Sequence, residues 1–169
     1  MNKYDIVEII PHLYISNWDT SNNKDVIIKN NINAVITLET RPKSSEIINF
    51  YKLYGVDYIY INIGDDPNEN IYQYFNFTYD FIKKYIKQHK NVLVHCYAGI
   101  SRSSTIILNY IIKDQYLNNI NTYKEKPEDV VNHVLSYSKQ RRYFINPNNG
   151  FLEQLKYASK NYRDNKFIL

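Results

Sequence analysis

The sequence predicts an α/β fold: a central, mostly parallel, twisted sheet of about five strands flanked by helices. Short apolar runs alternate along the chain with segments whose apolar residues recur at helical spacing, an alternation typical of parallel sheets. The 169 residues contain no internal repeat and no Pro- or Gly-rich linker. Since this length suits one ordinary domain, we expect a single domain over residues 1–169 with its core at about 7–160.

Each predicted strand is a short apolar run bounded by polar or turn residues. The predicted strands are Val7–Ile10, Leu13–Ile15, Ala34–Leu38, Tyr58–Ile63 and Val92–His95. The predicted helices are Lys24–Lys29, Ser45–Leu53, Ile71–Gln88, Ser103–Asp114, Pro127–Lys139 and Phe151–Lys160. The start at Pro127 is well marked, because proline needs no N–H partner in a first turn and the acids Glu128 and Asp129 suit its positive end.

The cysteine content and the mean hydropathy restrict the compartment and the membrane association expected of this chain. The single cysteine, Cys96, can form neither an internal disulfide nor a multi-cysteine zinc site, which predicts a reducing, cytoplasmic compartment. The mean hydropathy of −0.52 and the lack of an apolar run of roughly 20 residues predict no transmembrane helix. The first residues also lack the apolar core of a signal peptide, so we expect no membrane partner.

The net charge of +4 is mild, and basic and acidic residues alternate without a long block of one sign. Composition therefore gives no support to nucleic-acid binding. Three histidines, His12, His89 and His133, are isolated in the sequence and are expected to be surface or packing residues. We accordingly expect no metal site.

The stretch from Val92 to Ser104 holds the residues with the strongest chemical potential. An apolar strand ends at Cys96, a short loop containing Gly99 follows, and Arg102 opens a helix. Five residues between Cys96 and Arg102 let the loop curl until successive backbone N–H groups point at one anion, and the helix N-terminus adds its positive end there. Arg102 can grip two oxygens of a phosphate with its planar fork. Gly99 permits the positive φ or close approach that such a cradle needs.

The same positive field favours the thiolate form of Cys96, which is the nucleophilic form of cysteine. On residue type alone, Cys96 is either such a nucleophile or an inert buried thiol, and Arg102 is either its partner or a surface charge. The leaving group of a phosphate ester needs a proton donor. Asp65 and Asp66 lie in a polar loop and are the candidates; the alternative interpretation of both is a solvated turn or a helix cap.

The loop sequence HCYAGISRS fits the signature H-C-x5-R-[ST] and resembles the dual-specificity phosphatases, within the cysteine-dependent protein tyrosine phosphatases. Three flanking segments extend the resemblance to about residues 7 to 160. They are Ile9–Asn17, which is similar to the family's opening strand pair, Ile61–Asp66, similar to its general-acid loop, and Ile145–Leu155, similar to the start of its last helix. The segment Asn118–Lys126 is several residues longer than usual in the family. The resemblance implies a fold like that of the protein tyrosine phosphatases.

The resemblance also implies roles for individual residues. Cys96 is the expected nucleophile and Arg102 the expected phosphate ligand, while His95 is expected to order the loop and help hold Cys96 ionised, or to make only a structural hydrogen bond. The residues expected around the phosphate are Tyr97, Ala98, Gly99, Ile100, Ser101 and Arg102. Ser103 is expected to hydrogen-bond the thiolate as it leaves the phosphoenzyme, or simply to begin a helix.

For the acid loop, the family alignment places Asp65 at the general-acid position, with Asp66 as the alternative. Asn148 resembles an asparagine that buttresses the phosphate loop, and the alternative interpretation is a helix cap ahead of Phe151. Ser104 and Thr105 are expected to be first-turn helix residues.

The implied activity is a metal-independent protein phosphatase that hydrolyses phosphotyrosine and phosphoserine or phosphothreonine through a cysteinyl-phosphate intermediate. Phosphorylated proteins are the expected partners, and no cofactor and no nucleic acid are expected. A phosphoinositide phosphatase would carry lysines in the loop, and residues 97–101 contain none. A binding module without catalysis would lack Cys96, Arg102 or the acid. A nucleotide P-loop is excluded because Ile-Ser-Arg follows Gly99 where that motif requires Gly-Lys-Ser/Thr.

Overall fold

The computed structural model describes residues 4–164, apart from the side chain of Ile120, so the ends of the predicted 1–169 domain lie outside the described range. Its centre is a sheet with the strand order β1-β2-β5-β3-β4. The strands are β1 Ile6–Ile10, β2 Leu13–Ser16, β3 Ile32–Glu39, β4 Asp57–Asn62 and β5 Asn91–His95. β1 pairs antiparallel with β2, and all the other pairings are parallel. The predicted five-stranded, mostly parallel sheet is confirmed.

Helices cover both faces of this sheet. They are α1 Trp18–Ser21, α2 Lys24–Lys29, α3 Ser45–Leu53, α4 Phe75–Ile86, α5 Arg102–Asn118, α6 Pro127–Arg141 and α7 Asn149–Asp164, with 3-10 turns at Tyr72–Tyr74 and Ile120–Lys124. Side-chain caps set several starts: the oxygens of Asn23 and Ser44 accept the N–H groups of Val26 and Ile47. The bounds of α2 and α3 therefore agree with the sequence prediction.

The structure departs from the prediction most clearly at three places, and other element ends differ by one to four residues, as in α7, which covers Asn149–Asp164 where Phe151–Lys160 was predicted. The four-residue helix α1 was not expected, because one helical turn carries no detectable periodicity. The helix predicted for Ile71–Gln88 is a 3-10 turn followed by α4, and it ends before His89, whose φ of 55° is left-handed. α5 continues past the predicted end at Asp114 as far as Asn118.

The core consists of two apolar layers, one on each face of the sheet. The larger layer lies between the sheet and helices α4 to α7, and the smaller lies against α2 and α3. Because β2, β5, β3 and β4 run parallel, Ser16, His95, Glu39 and Asn62 end their strands at one edge, where parallel sheets place their ligand sites. Within residues 4–164 no helix is both long enough and apolar enough to cross a bilayer.

Candidate active site

The loop between β5 and α5, residues 96–101, lies at this edge of the sheet. Gly99 has a φ of 66°, the left-handed value that the sequence led us to expect at this position. A β-carbon added at Gly99 would lie 2.6 Å from the carbonyl oxygen of Ser16 and 2.7 Å from Nη2 of Arg142. The loop is thus wedged between β2 and the segment that follows α6, and only glycine fits at its centre.

Every carbonyl from residue 96 to residue 101 is hydrogen-bonded by a group outside the loop's concave side. The bonds, in chain order, are Cys96 O with His95 Nδ1 (3.2 Å), Tyr97 O with Trp18 N (2.9 Å), Ala98 O with Arg142 Nη2 (3.3 Å), Gly99 O with Arg142 Nε (3.1 Å), Ile100 O with Asn146 N (2.9 Å) and Ser101 O with Thr105 N (2.9 Å). The loop N–H groups take part in none of these bonds. Since a peptide's N–H points away from its C=O, they are left to surround an anion.

Cys96 directly follows β5 at the base of this loop and is buried, with 2% of its surface exposed. Its Sγ lies 3.2 Å from Oγ of Ser103, a fully buried residue in the first turn of α5. The side chain of Ser101, the residue before α5, does not cap this helix. The first N–H groups of α5 can therefore donate to a ligand at the positive end of the helix. Ser104 and Thr105 instead bond their hydroxyls back to the loop carbonyls, as first-turn residues.

Arg102 is buried and fixed on one side only. Its Nη1 donates to Glu39 Oε1 and to the carbonyl of Ile63, each at 3.1 Å, whereas its Nε finds no hydrogen-bond partner. Burial would raise the pKa of Glu39, but hydrogen bonds from the Thr40 N–H and from Arg102 outweigh it and lower that pKa below its ordinary value. Glu39 is therefore an anion that orients the guanidinium, and the unpartnered Nε edge remains for a phosphate oxygen.

His95 is completely buried and bonded through both ring nitrogens. Nδ1 lies 3.2 Å from the Cys96 carbonyl oxygen and 3.2 Å from Ser21 Oγ, and Nε2 lies 2.6 Å from Thr37 Oγ1. Burial, together with the nearby cations Lys43 and Arg102, holds the pKa of His95 well below its ordinary value. The ring is thus a neutral group that supports the loop.

The two aspartates of the acid loop make different contacts. Asp65 Oδ1 accepts the hydroxyl of Ser101 at 2.7 Å and Nδ2 of Asn148 at 2.9 Å, so this carboxylate faces the phosphate loop. Asp66 accepts the backbone N–H and the side-chain amide of Asn68 and so closes its own turn. The geometry thus favours Asp65 over Asp66 as the acid nearest the loop.

Asn148 serves both of the roles considered from the sequence. Its backbone N–H donates to Ser101 Oγ at 3.0 Å, its Nδ2 donates to Asp65, and its Oδ1 accepts the N–H of Phe151 at 2.9 Å in the first turn of α7. One side chain therefore caps a helix and joins the acid loop to the phosphate loop.

Sequence reasoning missed the side chains that support the loop from distant elements. Arg142 is 3% exposed; besides its two bonds to loop carbonyls, it pairs with Asp5, Nη2 to Oδ2 at 2.7 Å. Glu39, at the end of β3, holds Arg102. Lys43 reaches Ser21 behind His95. None of them stands in a local pattern that could have revealed its role, because their partners lie far away along the chain.

Among the described residues, no group of three or more His, Cys, Asp and Glu side chains is placed to hold a metal ion.

Tyr97, at the loop's rim, is 60% exposed. The predicted residues Cys96, Ser103, His95 and Arg102 thus come together around one loop, with Asp65 linked to it through Ser101.

Comparison with known proteins agrees with this geometry. Residues 13–161 match the family model described as the dual specificity phosphatase catalytic domain. The chain is 33% identical over 150 residues to the protein phosphatase Slingshot homolog of Xenopus laevis, covering 88% of this chain and 19% of the relative. It is 29% identical over 163 residues to human dual specificity protein phosphatase 21, covering 96% of this chain and 76% of the relative.

The crystal structure of the human tyrosine phosphatase-like serine/threonine/tyrosine-interacting protein has the same fold, with a TM-score of 0.75 and 27% identity over 95% of this chain and 99% of that one. The chain spans only 19% to 43% of the length of four of its curated relatives, which are longer proteins. The family model nevertheless covers most of these 169 residues, so the chain belongs to the dual-specificity phosphatase family.

Proposed function

We propose that this chain is a metal-independent protein phosphatase that hydrolyses phosphotyrosine and phosphoserine or phosphothreonine. The observation that carries the proposal is the loop of residues 96–101, whose carbonyls are all bonded outward while its N–H groups and the Nε of Arg102 stay free for an oxyanion. A buried cysteine lies at its base. This arrangement suits a tetrahedral phosphate held above a nucleophile.

In the first step, the thiolate of Cys96 attacks phosphorus, forming an S–P bond as the P–O bond to the substrate breaks. Arg102 and the loop N–H groups bind the three equatorial oxygens, whose charge is greatest in the transition state. Asp65 gives its proton to the departing alkoxide or phenoxide. The hydrogen bonds from Ser101 and Asn148 hold the Asp65 carboxyl beside the loop for this transfer.

In the second step, the Asp65 carboxylate takes a proton from water as that water attacks phosphorus. The S–P bond breaks, inorganic phosphate leaves, and Cys96 returns to the thiolate. Ser103 Oγ, 3.2 Å from Sγ, donates a hydrogen bond that stabilises the leaving thiolate. Arg102 and the loop amides supply the positive field that a metal would otherwise bring, so the reaction needs no metal.

The second candidate function is a phosphate-binding module that docks phosphorylated partners without turnover. It is favoured by the structural likeness to the human tyrosine phosphatase-like serine/threonine/tyrosine-interacting protein. The presence of Cys96 beside Ser103, with Arg102 and Asp65 at the same loop, supports catalysis over docking.

The experiment that separates the two compares the wild-type chain with Cys96→Ser on phosphotyrosine and phosphothreonine peptides, with chelator present. We expect wild-type turnover that survives chelation, and a serine variant that binds the peptides but does not turn them over, because a hydroxyl is a poor nucleophile there. Turnover by the serine variant at a rate near wild type would refute the mechanism. Tight binding with no turnover by the wild type would establish the docking module.

We further propose phosphorylated proteins as the substrates and a reducing, cytoplasmic setting. The support for the setting is that Cys96, the single cysteine, must stay a free thiol in order to act. The support for protein over phosphoinositide substrates is that no lysine stands among residues 97–101. Dephosphorylation of soluble phosphoinositides faster than of phosphopeptides would contradict this assignment.

A further inference from the structure

A buried lysine lies behind the phosphate loop, outside the residues of the proposed mechanism. Lys43 follows β3 and is 3% exposed, and its Nζ donates to Ser21 Oγ and to Asn22 Oδ1, each at 2.8 Å. Nζ also lies 4.5 Å from the centre of the Trp18 ring. Among the described residues it forms no ion pair with a carboxylate, and burial lowers the pKa of Lys43 from 10.5 to about 7.

Ser21 joins this lysine to the loop. Its hydroxyl donates to the carbonyl of Trp18 at 2.7 Å, so its proton is used, and one of its two lone pairs accepts from Lys43. The remaining contact, with Nδ1 of His95 at 3.2 Å, requires Nδ1 to carry the proton. The carbonyl of Cys96, which can only accept, imposes the same requirement on Nδ1.

The ring of His95 is thereby fixed as the neutral Nδ1–H tautomer. Its bare Nε2 accepts from Thr37 Oγ1 at 2.6 Å, so both ends of the ring are held. The chain of contacts from Lys43 through Ser21 and His95 ends on the carbonyl of Cys96, the first residue of the phosphate loop.

We propose that Lys43 is a positioning residue: through Ser21 its ammonium holds His95 in the orientation that supports the Cys96 carbonyl, and its charge adds to the positive field behind the thiolate. This inference rests on the proposed function and deepens it. Lys43 touches neither the substrate nor the reacting atoms and acts through Ser21 and His95.

Other charged and titratable groups face this lysine from the neighbouring elements. They are His95 from β5, Tyr58 from β4, Arg41 stacked at 5.1 Å on the Trp18 ring, and Arg102, which acts on the same His95 ring. Burial raises the pKa of Tyr58, His95 stays neutral, and an arginine keeps its charge. Of the groups in this set, Lys43 is the one whose charge changes between pH 6 and pH 9, as its pKa of about 7 requires.

The test is the pH dependence of kcat/KM for an activated aryl phosphate, whose leaving group needs no proton, measured on the full chain. In the wild type we expect a descending limb with a midpoint near pH 7 as Lys43 loses its proton. Lys43→Met should lack this limb and should be about tenfold slower at pH 6, since small misplacements in a preorganised site are costly. Lys24→Met is the matched control, because the Lys24 side chain is 43% exposed and pairs with Glu46 at the surface. This variant should keep the wild-type profile.

Ser21→Ala tests the same path without removing a charge. It should lower kcat/KM at pH 6 by about threefold, and the double variant with Lys43→Met should lose less than the product of the two single losses, since both act on one network. If Lys43→Met does not fold, Ser21→Ala decides. The proposal is overturned if the kcat/KM of Lys43→Met stays within about twofold of wild type at pH 6 with an unchanged alkaline limb. If Lys43→Met does not fold, the same result for Ser21→Ala overturns it.

Alkylation of Cys96 by iodoacetamide gives a readout that needs no turnover. At pH 6 we expect the rate to fall about tenfold in Lys43→Met and to be unchanged in Lys24→Met, because only the first removes a charge behind the thiolate. A chain that turns over no phosphoester but shows this dependence defeats the proposed function and leaves the role of Lys43 in the loop. An active chain whose alkylation rate and pH profile ignore Lys43 defeats only the present inference.

Discussion

Gly99→Ala tests how tightly the phosphate loop is held, and Gly55→Ala provides a matched control. Both glycines have a φ of 66°. A β-carbon at Gly55 would meet no heavy atom within 4 Å, whereas at Gly99 it would lie 2.6 Å from the Ser16 carbonyl oxygen and 2.7 Å from Arg142 Nη2. The pair therefore separates the conformational strain of a left-handed alanine from the steric cost of filling the loop.

The expected magnitudes follow from these contacts. Left-handed strain alone should lower the free energy of unfolding by about 1–2 kcal/mol in Gly55→Ala. In Gly99→Ala the strand backbone of β2 cannot yield as a flexible side chain would, so overpacking should add about 1–3 kcal/mol. The displaced Arg142 would also lose its grip on the carbonyls of Ala98 and Gly99. We therefore expect a total loss of about 2–5 kcal/mol in Gly99→Ala.

The assays are urea unfolding and kcat/KM for an aryl phosphate, on both variants and the wild type. Gly99→Ala should lose about 100-fold or more in kcat/KM, since the N–H groups on either side of residue 99 shift with the backbone. Gly55→Ala, at the end of α3 and away from the loop, should keep wild-type kcat/KM. Equal losses of unfolding free energy in the two variants, with Gly99→Ala still within about threefold of wild-type activity, would refute the wedged loop.

Three further predictions concern the supporting side chains. Arg142→Leu should lower the free energy of unfolding by about 2–4 kcal/mol and reduce kcat/KM, because two loop carbonyls and a carboxylate lose their donor. Urea unfolding and steady-state kinetics measure the two effects, and an unchanged kcat/KM would contradict the prediction. Asp65→Asn should slow phosphothreonine peptides far more than an activated aryl phosphate, whereas Asp66→Asn should affect neither; the reverse pattern would move the acid to Asp66. The pKa of Lys43 is about 7 in the folded state, and its ordinary value is 10.5, so the unfolded state binds more protons between these pH values. The free energy of unfolding should therefore rise from pH 7 to pH 9 by up to about 1.4 kcal/mol per pH unit. In urea unfolding, Lys43→Met should flatten that slope.

Much of the fold could be predicted because its determinants are local. The strands are short apolar runs, and the starts of α2 and α3 are marked by side-chain caps that a single sequence displays. The structure departs from the prediction where apolar periodicity does not distinguish one helical form from another, as at the 3-10 turn Tyr72–Tyr74 ahead of α4. α5 also continues past the predicted end at Asp114 to Asn118, and its last turn packs Tyr116 and Leu117 against the core.

The candidate site divides along the same line. Cys96, Arg102 and Ser103 lie within one short stretch, so their spacing alone predicts a phosphate loop. Arg142 and Asp5 are 137 positions apart, and neither stands in a motif, so only the folded chain shows that the pair supports the loop. The family alignment placed Asp65 at the general-acid position from sequence, and the contacts of Asp65 with Ser101 and Asn148 favour the same choice over Asp66.

The charges around the loop explain why a less stable arrangement is kept there. Arg102 and Lys43 are both buried, and of the two only Arg102 contacts a carboxylate, Glu39, among the described residues. An apolar side chain in place of Lys43 would avoid the desolvation that lowers its pKa and would favour folding. In the proposed mechanism, the excess positive charge is instead available to the nucleophilic thiolate and the substrate phosphate, both of which carry negative charge into the same loop. Stability and chemistry therefore make opposite demands at this edge of the sheet, and the buried lysine satisfies the chemical one.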